Sequence, residues 1–499
     1  MQLQFSKSPI QFLNVVAQDV AHGEVTQEVR LSDGMPDIGR ILTTWGQVVL
    51  RSKQWQGRTI GMSGGVMLWT LYMPEDGSDP RTIESWVPFQ LNLDGVDAAQ
   101  EGPVRVLPML RFADSRSLSA RKILVRAGVS GMIQAFSPDD TFVYTPGELP
   151  EDIQLLKKKY PLRIPSECGE KTFMMDEELQ VSGSEDAPEK LLSISVTPVV
   201  SDLVVHPDKI ILRGELEIHL VTRTAEGKIV NGDRTLDFSQ LIELEQGYDQ
   251  GASADFILAV TNLETDMQSE GKIRIKCSLV AQYLVDVCRL VETVEDAYSP
   301  LRDVKLEKSE LELPVILEDR TEVLMPEAML PARNGEVVDG VFHLDFPRKR
   351  QNGNGLDLEL TGLFQTLAID EQDALQAANS RWEGTLRMDA GENTSQAVSM
   401  MNVSPVRSIH NQDGVKLSAN VQMQIQTGAK EYFPMVTELE VGAVCEADPA
   451  RPSLIITALG QNSLWEVAKR CGSTVDAICA ANGIGEQEES DQLLLIPVI

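Results

Sequence analysis

The sequence has few cysteines and few histidines, and neither residue type is spaced for metal binding. Its six cysteines among 499 residues include no CxxC pair, and its five histidines lie at positions 22, 206, 219, 343 and 410. A disulfide framework or a structural zinc site needs closely spaced ligands, and a helical histidine site needs i, i+4 spacing. The sequence therefore predicts no metal site, no disulfides and no cofactor.

Long apolar runs are also absent. No stretch reaches the roughly 20 apolar residues that span a bilayer as a helix. The first residues, "MQLQFSKSPIQFLNVVAQDV", lack a basic segment, an apolar core and a small-residue cleavage site, which together mark a secretory signal. We therefore expect a cytoplasmic protein without direct membrane insertion.

The sequence has far fewer basic than acidic residues. The chain has 44 Lys and Arg residues against 75 Asp and Glu residues, which gives a formal net charge of -31. A molecule with this charge repels nucleic acid and anionic lipid surfaces over most of its faces. We expect no nucleic-acid partner, and a basic or uncharged protein surface is easier to accommodate.

The main pattern that the sequence does contain is a strict alternation of apolar and polar residues. In "KIRIKCSLVAQYLVDV" the apolar phase runs from Ile273 to Val285 through Cys277, while Arg274 and Gln282 lie on the opposite phase. "KILVRAGVSGMIQAF" and "VKLSANVQMQIQ" alternate in the same way. Such a period of two predicts long strands that cover a core on one side, with Cys277 as a small core residue.

An internal repeat follows from these strands. The segments "IGMSGGVMLWTLY", "IILRGELEIHLVT" and "LELTGLFQTLAI" superpose so that Gly64, Gly214 and Gly362 coincide on the inward phase. A glycine at the same position in three strands predicts a bend or a close approach of two backbones. The chain is therefore predicted to hold three copies of one β unit.

The predicted organisation is mainly β. Three repeated antiparallel β units are expected at residues 1–145, 185–305 and 320–445, followed by a small βααβ domain at residues 453–499. A helical and acidic connector is expected at residues 146–184 and a second connector at residues 306–319.

Three prolines are placed where they would begin or end a short helix. Pro150 and Pro161 are placed to begin and end a short helix within the first connector, and Pro36 is placed to begin one or two helical turns.

The sequence holds no convincing catalytic motif. "GMSGG", residues 61 to 65, matches the G-x-S-x-G nucleophile elbow, but it lies inside a strand pattern rather than at a turn between strand and helix. The residues that match Ser63 in the other copies are Arg213 and Thr361. We therefore expect a protein that is not an enzyme.

Two helices are predicted near the end of the chain, in "NSLWEVAKRCGSTVDAICAANG". Asn462 or Ser463 can cap the first helix, which Gly472 ends, and Ser473 or Thr474 can cap the second. A β-leaning segment precedes these helices and "QLLLIPVI" follows them, so the order βααβ is expected.

This stretch resembles the LysM domain over residues 453–497. The agreeing positions are Leu464, Trp465, Ala468, Thr474, Ile478, Asn482, Leu493, Leu495, Ile496 and Pro497. The chain departs from the family pattern at Gln461, Asn462, Cys471 and Asp491.

LysM domains generally bind glycans that contain N-acetylglucosamine, such as peptidoglycan or chitin, in a shallow groove. The resemblance implies a groove lined by Gln461, Asn462, Ser463, Leu464, Asn482, Gly483 and Ile484. Trp465 shares a helix face with Ala468, so we expect it in the core rather than as a sugar platform.

The rest of the chain resembles SPOCS repeats of endospore-forming Firmicutes, on the segments "LSDGMPDIGRIL", "YMPEDG", "LPEDIQLLKKKYPLRIPSECGEK" and "VEDAYSPL". SPOCS repeats followed by a LysM domain are the layout of the SipL-like spore coat morphogenetic proteins. The resemblance implies an adaptor in the mother cell that tethers the spore coat by binding, through its LysM domain, the morphogenetic ATPase at the forespore surface.

The alternative is a protein that binds peptidoglycan of the spore cortex or cell wall. The altered first loop of the groove favours the adaptor. If the module binds a protein, charge reversal at Lys469 and Arg470, or a bulkier residue at Ser463, is expected to abolish coat attachment without disturbing the fold.

Overall fold

The chain folds into antiparallel sheets, with two short helices in its described part. The computed structural model describes residues 2–3, 5–181, 188–248, 251–268, 271–331, 336–352, 355–370, 372, 374–388, 394–411, 414–445, 451–459, 462–485 and 493–499. The mainly β architecture predicted from residue alternation is confirmed.

The first unit consists of six strands in two three-stranded sheets. One sheet is a meander with β4 at its centre, and in the other β7 lies between β2 and β6. The strands are β2 (Phe5–Arg30), β3 (Ile38–Gln56), β4 (Thr59–Pro74), β5 (Arg81–Asp94), β6 (Val104–Ser119) and β7 (Lys122–Pro146), and the short β1 (Gln2–Leu3) precedes them.

The second unit repeats this topology strand for strand. Its meander has β10 at the centre, and β13 lies between β8 and β12. The strands are β8 (Gln154–Gln180), β9 (Pro188–Val205), β10 (Lys209–Thr224), β11 (Ile229–Glu243), β12 (Ala252–Met267) and β13 (Lys272–Tyr298).

The third unit has the same arrangement of two main sheets, with additional strands. In its described part β18 is flanked by β16, β17 and β19, and β23 pairs with β14, β20 and β1. A small sheet of β15, β22 and β21 is added. The bounds are β14 (Arg302–Leu324), β15 (Glu327–Pro331), β16 (Glu336–Leu344), β17 (Arg348–Asn352), β18 (Gly355–Ile369), β19 (Leu375–Met388), β20 (Thr394–Val403), β21 (Arg407–Asn411), β22 (Gly414–Ser418) and β23 (Val421–Val444).

The two predicted connectors are wrong. Most of residues 146–184 form β8, which pairs with β13 over its whole length, and residues 306–319 lie within β14, which pairs with β23. In the first connector, Pro150 and Pro161 suggested a short helix. In the structure Pro161 and Pro314 lie on edge strands, the positions in a sheet where proline is tolerated. The second and third units therefore begin earlier than predicted, each with its first long strand.

The helical turns predicted at Pro36 are replaced by a single turn before β3. The N–H of Met35 bonds to the carbonyl of Ser32, and the Arg121 side chain donates to the carbonyls of Ser32 and Met35. Asp37 accepts a further bond from Arg121. Arg121, in the turn between β6 and β7, therefore ties this single turn to the neighbouring sheet.

The three superposed glycines occupy equivalent close approaches. Gly64, Gly214 and Gly362 lie on the central strands β4, β10 and β18, each opposite an aromatic residue of the next strand. A Cβ atom at Gly64 or Gly214 would overlap a carbonyl oxygen of the preceding strand, and a Cβ atom at Gly362 would overlap the Phe342 ring. The predicted close approach of two backbones is confirmed at Gly64 and Gly214, whereas an aromatic side chain occupies the space at Gly362.

The apolar phases of the three alternating segments are buried as predicted, and Cys277 is fully buried among them. Residues 415–426 were predicted as one long strand, but they divide between β22 and β23, which belong to different sheets. Gln282 is an exception, because the sequence assigns it to the outward phase and the structure buries it completely. Its amide bonds to the backbone N–H and carbonyl of Val106 in the first unit. The second unit's outward face is thus covered by the first unit at this point.

The three units share one body. The paired strands β2–β7, β8–β13 and β14–β23 form three ribbons whose apolar faces meet in a common core. Residues of this core come from all three units: Ile10, Phe12, Val143, Leu162, Ile164, Val291, Leu311, Leu313, Val315, Phe433 and Met435. The repeats are therefore packed together and are not separate beads.

The C-terminal segment has the predicted βααβ order. Its helices α1 (Leu464–Cys471) and α2 (Val475–Asn482) lie between strands β24 (Leu454–Ala458) and β25 (Leu493–Pro497), which pair antiparallel. We call this segment the C-terminal module. In the part of the chain that the structure describes, no helix is long and apolar enough to cross a membrane.

Candidate functional site

The first helix of the C-terminal module is capped at both ends as its sequence predicts. The Ser463 hydroxyl accepts from the N–H of Glu466, and the Glu466 carboxylate accepts from the N–H of Ser463. This reciprocal pair is a capping box. Gly472 ends the helix with φ of 64°, a left-handed conformation that favours glycine.

The second helix follows the same logic. The Thr474 hydroxyl accepts from the N–H of Ala477, and Gly483 closes the helix with φ of 66°. The two caps fix the loops before α1 and after α2, which are the loops that carry the predicted groove.

The predicted groove is only partly available for binding. Gln461 lies outside the described residues. Asn462, Ser463 and Gly483 are exposed, Ile484 is half-buried against the module core, and Leu464 is buried. The groove therefore offers few side chains beyond the exposed rim of its two loops.

Asn482, the most polar groove residue at the second loop, is used internally. Its amide nitrogen donates to the carbonyls of Ile478 and Leu495, and its amide oxygen accepts from the N–H of Leu495. The side chain thereby ties the end of α2 to β25. An amide engaged in three bonds is a structural clamp rather than a free ligand contact.

Trp465 packs between the module and the second unit. Its ring meets Tyr298 at 4.8 Å between centroids and an interplanar angle of 74°, an edge-to-face contact. Its indole N–H donates to Asp296 at 2.9 Å, and the Tyr298 hydroxyl donates to the carbonyl of Ser473 at 2.9 Å. We call Asp296 and Tyr298, at the end of β13, the docking seat of the module.

Ion pairs with two lysines strengthen the docking seat. Asp296 accepts from Lys469 at 2.6 Å and lies 3.1 Å from the ammonium of Lys308. Burial disfavours the ionised carboxylate, but the hydrogen bonds from Lys469, Trp465 and Lys308 outweigh it, so the pKa of Asp296 is lowered. Ionised Asp296 therefore joins the second unit, the third unit and the module.

This contact changes the expectation for the helix cations. Lys469 binds Asp296, whereas the neighbouring Arg470 is exposed. Charge reversal at Lys469 would place two carboxylates together and weaken the seat. The predicted Lys469 variant therefore disturbs the structure, and it does not isolate partner binding.

An apolar strip lies on the outer face of the two-stranded sheet. Its residues are Leu454, Ile456, Leu493 and Leu495, which are between 38% and 70% exposed. Ile456 and Leu495 are directly opposite each other in the β24–β25 pairing. Single exposed apolar residues are common, but four neighbours on one small sheet make a continuous surface.

The sequence contains a signal for this apolar strip. Both strands are apolar on both phases, as in "LII" at residues 454–456 and "LLLI" at residues 493–496. One phase fills the module core with Leu494 and Ile496, so the other phase must face outward.

The chain was compared with protein-family models, curated proteins and solved structures. It matches none of them. Within the described ranges, no group of three or more His, Cys, Asp and Glu side chains could hold a metal ion. The C-terminal module is the candidate site, and its described residues expose the groove rim and the apolar strip.

Proposed function

We propose that this chain is a non-enzymatic spore coat assembly adaptor. Its C-terminal module binds the morphogenetic ATPase at the forespore surface, in the cytoplasm of the mother cell, and its three-unit body carries the coat. The apolar strip of the module is the observation that supports this proposal best. Four exposed aliphatic side chains on a rigid sheet suit an apolar protein surface.

A glycan ligand fits the module less well. Sugar rings are commonly held by an exposed aromatic face and by several free polar groups. Trp465 contacts the docking seat, and the Asn482 amide is engaged in three internal bonds. The peptidoglycan-binding alternative rests on the rim formed by Asn462, Ser463 and Gly483.

The body suits the role of a carrier. Its units are joined by buried polar contacts, so it presents its surfaces in fixed relative positions. Arg105 of the first unit bonds to Asp255 of the second at 2.5 Å, and Ser130 of the first bonds to Asp345 of the third at 2.6 Å. A rigid base of this kind keeps a small binding module in one orientation.

The test uses the full-length chain with the purified, polymerised ATPase in a cosedimentation assay. Ile456→Ser in the apolar strip is expected to weaken binding about tenfold, because a central apolar contact contributes about 1–2 kcal/mol to an interface. Leu290→Ser is the matched control, since Leu290 is an equally exposed aliphatic side chain on β13, 64% exposed.

A parallel arm offers the same proteins to purified peptidoglycan sacculi. Sedimentation with sacculi that chitin oligomers reverse, together with no binding to the ATPase, would replace the adaptor by the glycan-binding alternative. Equal loss of ATPase binding in Ile456→Ser and Leu290→Ser would remove the apolar strip from the proposal.

A further inference from the structure

A cavity of about 410 Å³ opens where the three units meet. It lies over the outer face of the meander β9–β10–β11 and is bounded by β3 and β6 of the first unit and by β16 of the third. Its size is within the range of cavities that hold small organic ligands. None of the residues that form it belongs to the C-terminal module.

The floor of the cavity is polar because of the strand register. On β10 the even residues face the core of the second unit, so Glu217 and His219 face outward. Glu217 pairs with Thr197 and Thr235, and His219 pairs with Ser195 and Asp233. Two rows of three residues therefore lie side by side across the sheet.

The opposite walls are mostly apolar. Leu107, Met109 and Leu110 of β6 and Val341 of β16 line the cavity from the other two units. A molecule in this space would meet hydroxyl and carboxylate groups on one side and hydrocarbon on the other.

His219 is not available to a ligand. One ring nitrogen bonds to Asp233 at 2.6 Å and the other to Asp339 at 2.8 Å, and Asp339 also accepts from the indole of Trp45 at 2.7 Å. Burial alone would favour neutral imidazole, but these two aspartates raise the pKa of His219 to about 10. The imidazolium charge is therefore balanced by its own partners.

Arg234, the other cation of the cavity, is also engaged. Its guanidinium donates to the backbone carbonyls of Gln180, Val181 and Asp233. Glu217 is different, because no hydrogen bond or ion pair from the described residues reaches its carboxylate. Burial, with the nearby carboxylates of Glu215 and Asp233, raises the pKa of Glu217.

We propose that this cavity binds a small organic ammonium ion with an apolar body. The ammonium group contacts Glu217 and the neighbouring hydroxyls of Thr197 and Thr235, and the hydrocarbon lies against the β6 and β16 walls. The ligand supplies the positive charge that the Glu217 carboxylate lacks, since Asp233 is already paired with His219. This site is separate from the C-terminal module and does not depend on the function proposed for it.

The test measures binding to the full-length chain by isothermal titration calorimetry at pH 8, with n-hexylammonium, n-hexanol and hexanoate as probes. n-Hexylammonium is expected to bind at least tenfold more tightly than n-hexanol, and hexanoate is expected to give no saturable heat. Equal affinity for the amine and the alcohol, or no saturable binding of the amine up to millimolar concentration, would overturn the proposal.

Two variants locate the charge. Glu217→Gln is expected to reduce n-hexylammonium affinity at least tenfold, to the level of n-hexanol, while its thermal midpoint shows that the body is folded. Glu215→Gln is the matched control, because Glu215 lies two residues along the same strand face and does not line the cavity. Its amine affinity is expected to change less than threefold, and equal effects of the two variants would contradict the assignment.

Discussion

The three-unit body and the C-terminal module hold themselves together by different means. The body has long ribbons from three units that bury one another's apolar faces, with polar contacts between units sealed inside. The module has a small core that is completed by Tyr298, a residue of the second unit. The core of the body draws residues from all three units, whereas the core of the module, among the described residues, takes only Tyr298 from outside the module.

This difference bears on how the module should be studied. An isolated fragment that begins after the third unit lacks Tyr298 and Asp296, and so it loses both the ring that packs on Trp465 and the carboxylate that binds Lys469. Binding experiments on the full-length chain keep the module in its native contacts.

The largest effect is expected inside the body. Asp255→Ala should lower the free energy of unfolding of the body by about 3–5 kcal/mol, because it leaves the fully buried Arg105 guanidinium without its charge partner. Urea unfolding followed by tryptophan fluorescence would measure this loss, and the module should unfold with the body.

A double variant separates the charge from the packing. Arg105→Met with Asp255→Leu removes both charges and should recover most of the lost stability. The exposed pair of Lys430 and Glu312 serves as the control, and Glu312→Gln should have little effect. A loss in the double variant as large as in Asp255→Ala would mean that this ion pair is not what joins the first two units.

A smaller and more local effect is expected at the docking seat. Tyr298→Ala should destabilise the module by about 3 kcal/mol while leaving the body intact, because it removes a buried aromatic ring from the module core. Hydrogen exchange of amides in α1 and α2 would report the change, with β4 amides as the internal reference.

Tyr298→Phe is the matched variant, since it keeps the ring and removes only the bond to the carbonyl of Ser473. Its expected cost is about 1 kcal/mol. If exchange in β4 accelerates as much as exchange in α1, the module and the body form one cooperative unit and the contrast between them is lost.

An effect smaller than that of Tyr298→Ala is expected when the pH is lowered. Burial lowers the pKa of His343 in β16 to about 4, although its hydrogen bond with Gln365 works in the other direction. The unfolded chain takes up a proton below pH 6.5 that the folded body does not, so stability is full above that pH and is lost as the pH falls. Between pH 6.5 and 5 the expected loss is about 2 kcal/mol.

The C-terminal module contains no histidine, so this loss should be confined to the body. Urea unfolding at pH 7 and pH 5 would measure it in the wild type, in His343→Gln and in His410→Gln, whose parent histidine is exposed. An equal acid loss in His343→Gln and the wild type would exclude His343 as its source.

The fold was largely readable from residue alternation and from a few special positions. Gly64, Gly214 and Gly362 identified the central strands, and the caps at Ser463 and Gly472 identified α1. These signals act over a few residues, so the sequence carries them locally. The prediction failed at Pro161, because a proline on an edge strand and a proline that ends a helix look alike without the partner strand.

The candidate site was less accessible to sequence reasoning than the fold. The helices and loops of the module were predicted, whereas the exposed apolar strip on β24 and β25 was not. Trp465 donates a hydrogen bond to Asp296, which lies 169 positions away in the sequence. No local pattern predicts a contact of that range.

The sequence by itself determined the mainly β class, the three copies and the βααβ order, because strand alternation, glycine positions and helix caps are local properties. Only the tertiary structure decided that the copies share one core, that Gln282 is buried, that Trp465 faces the docking seat and that a cavity with Glu217 on its floor lies between the units. Each of these depends on which distant surfaces meet, and that is set by the packing of the whole chain.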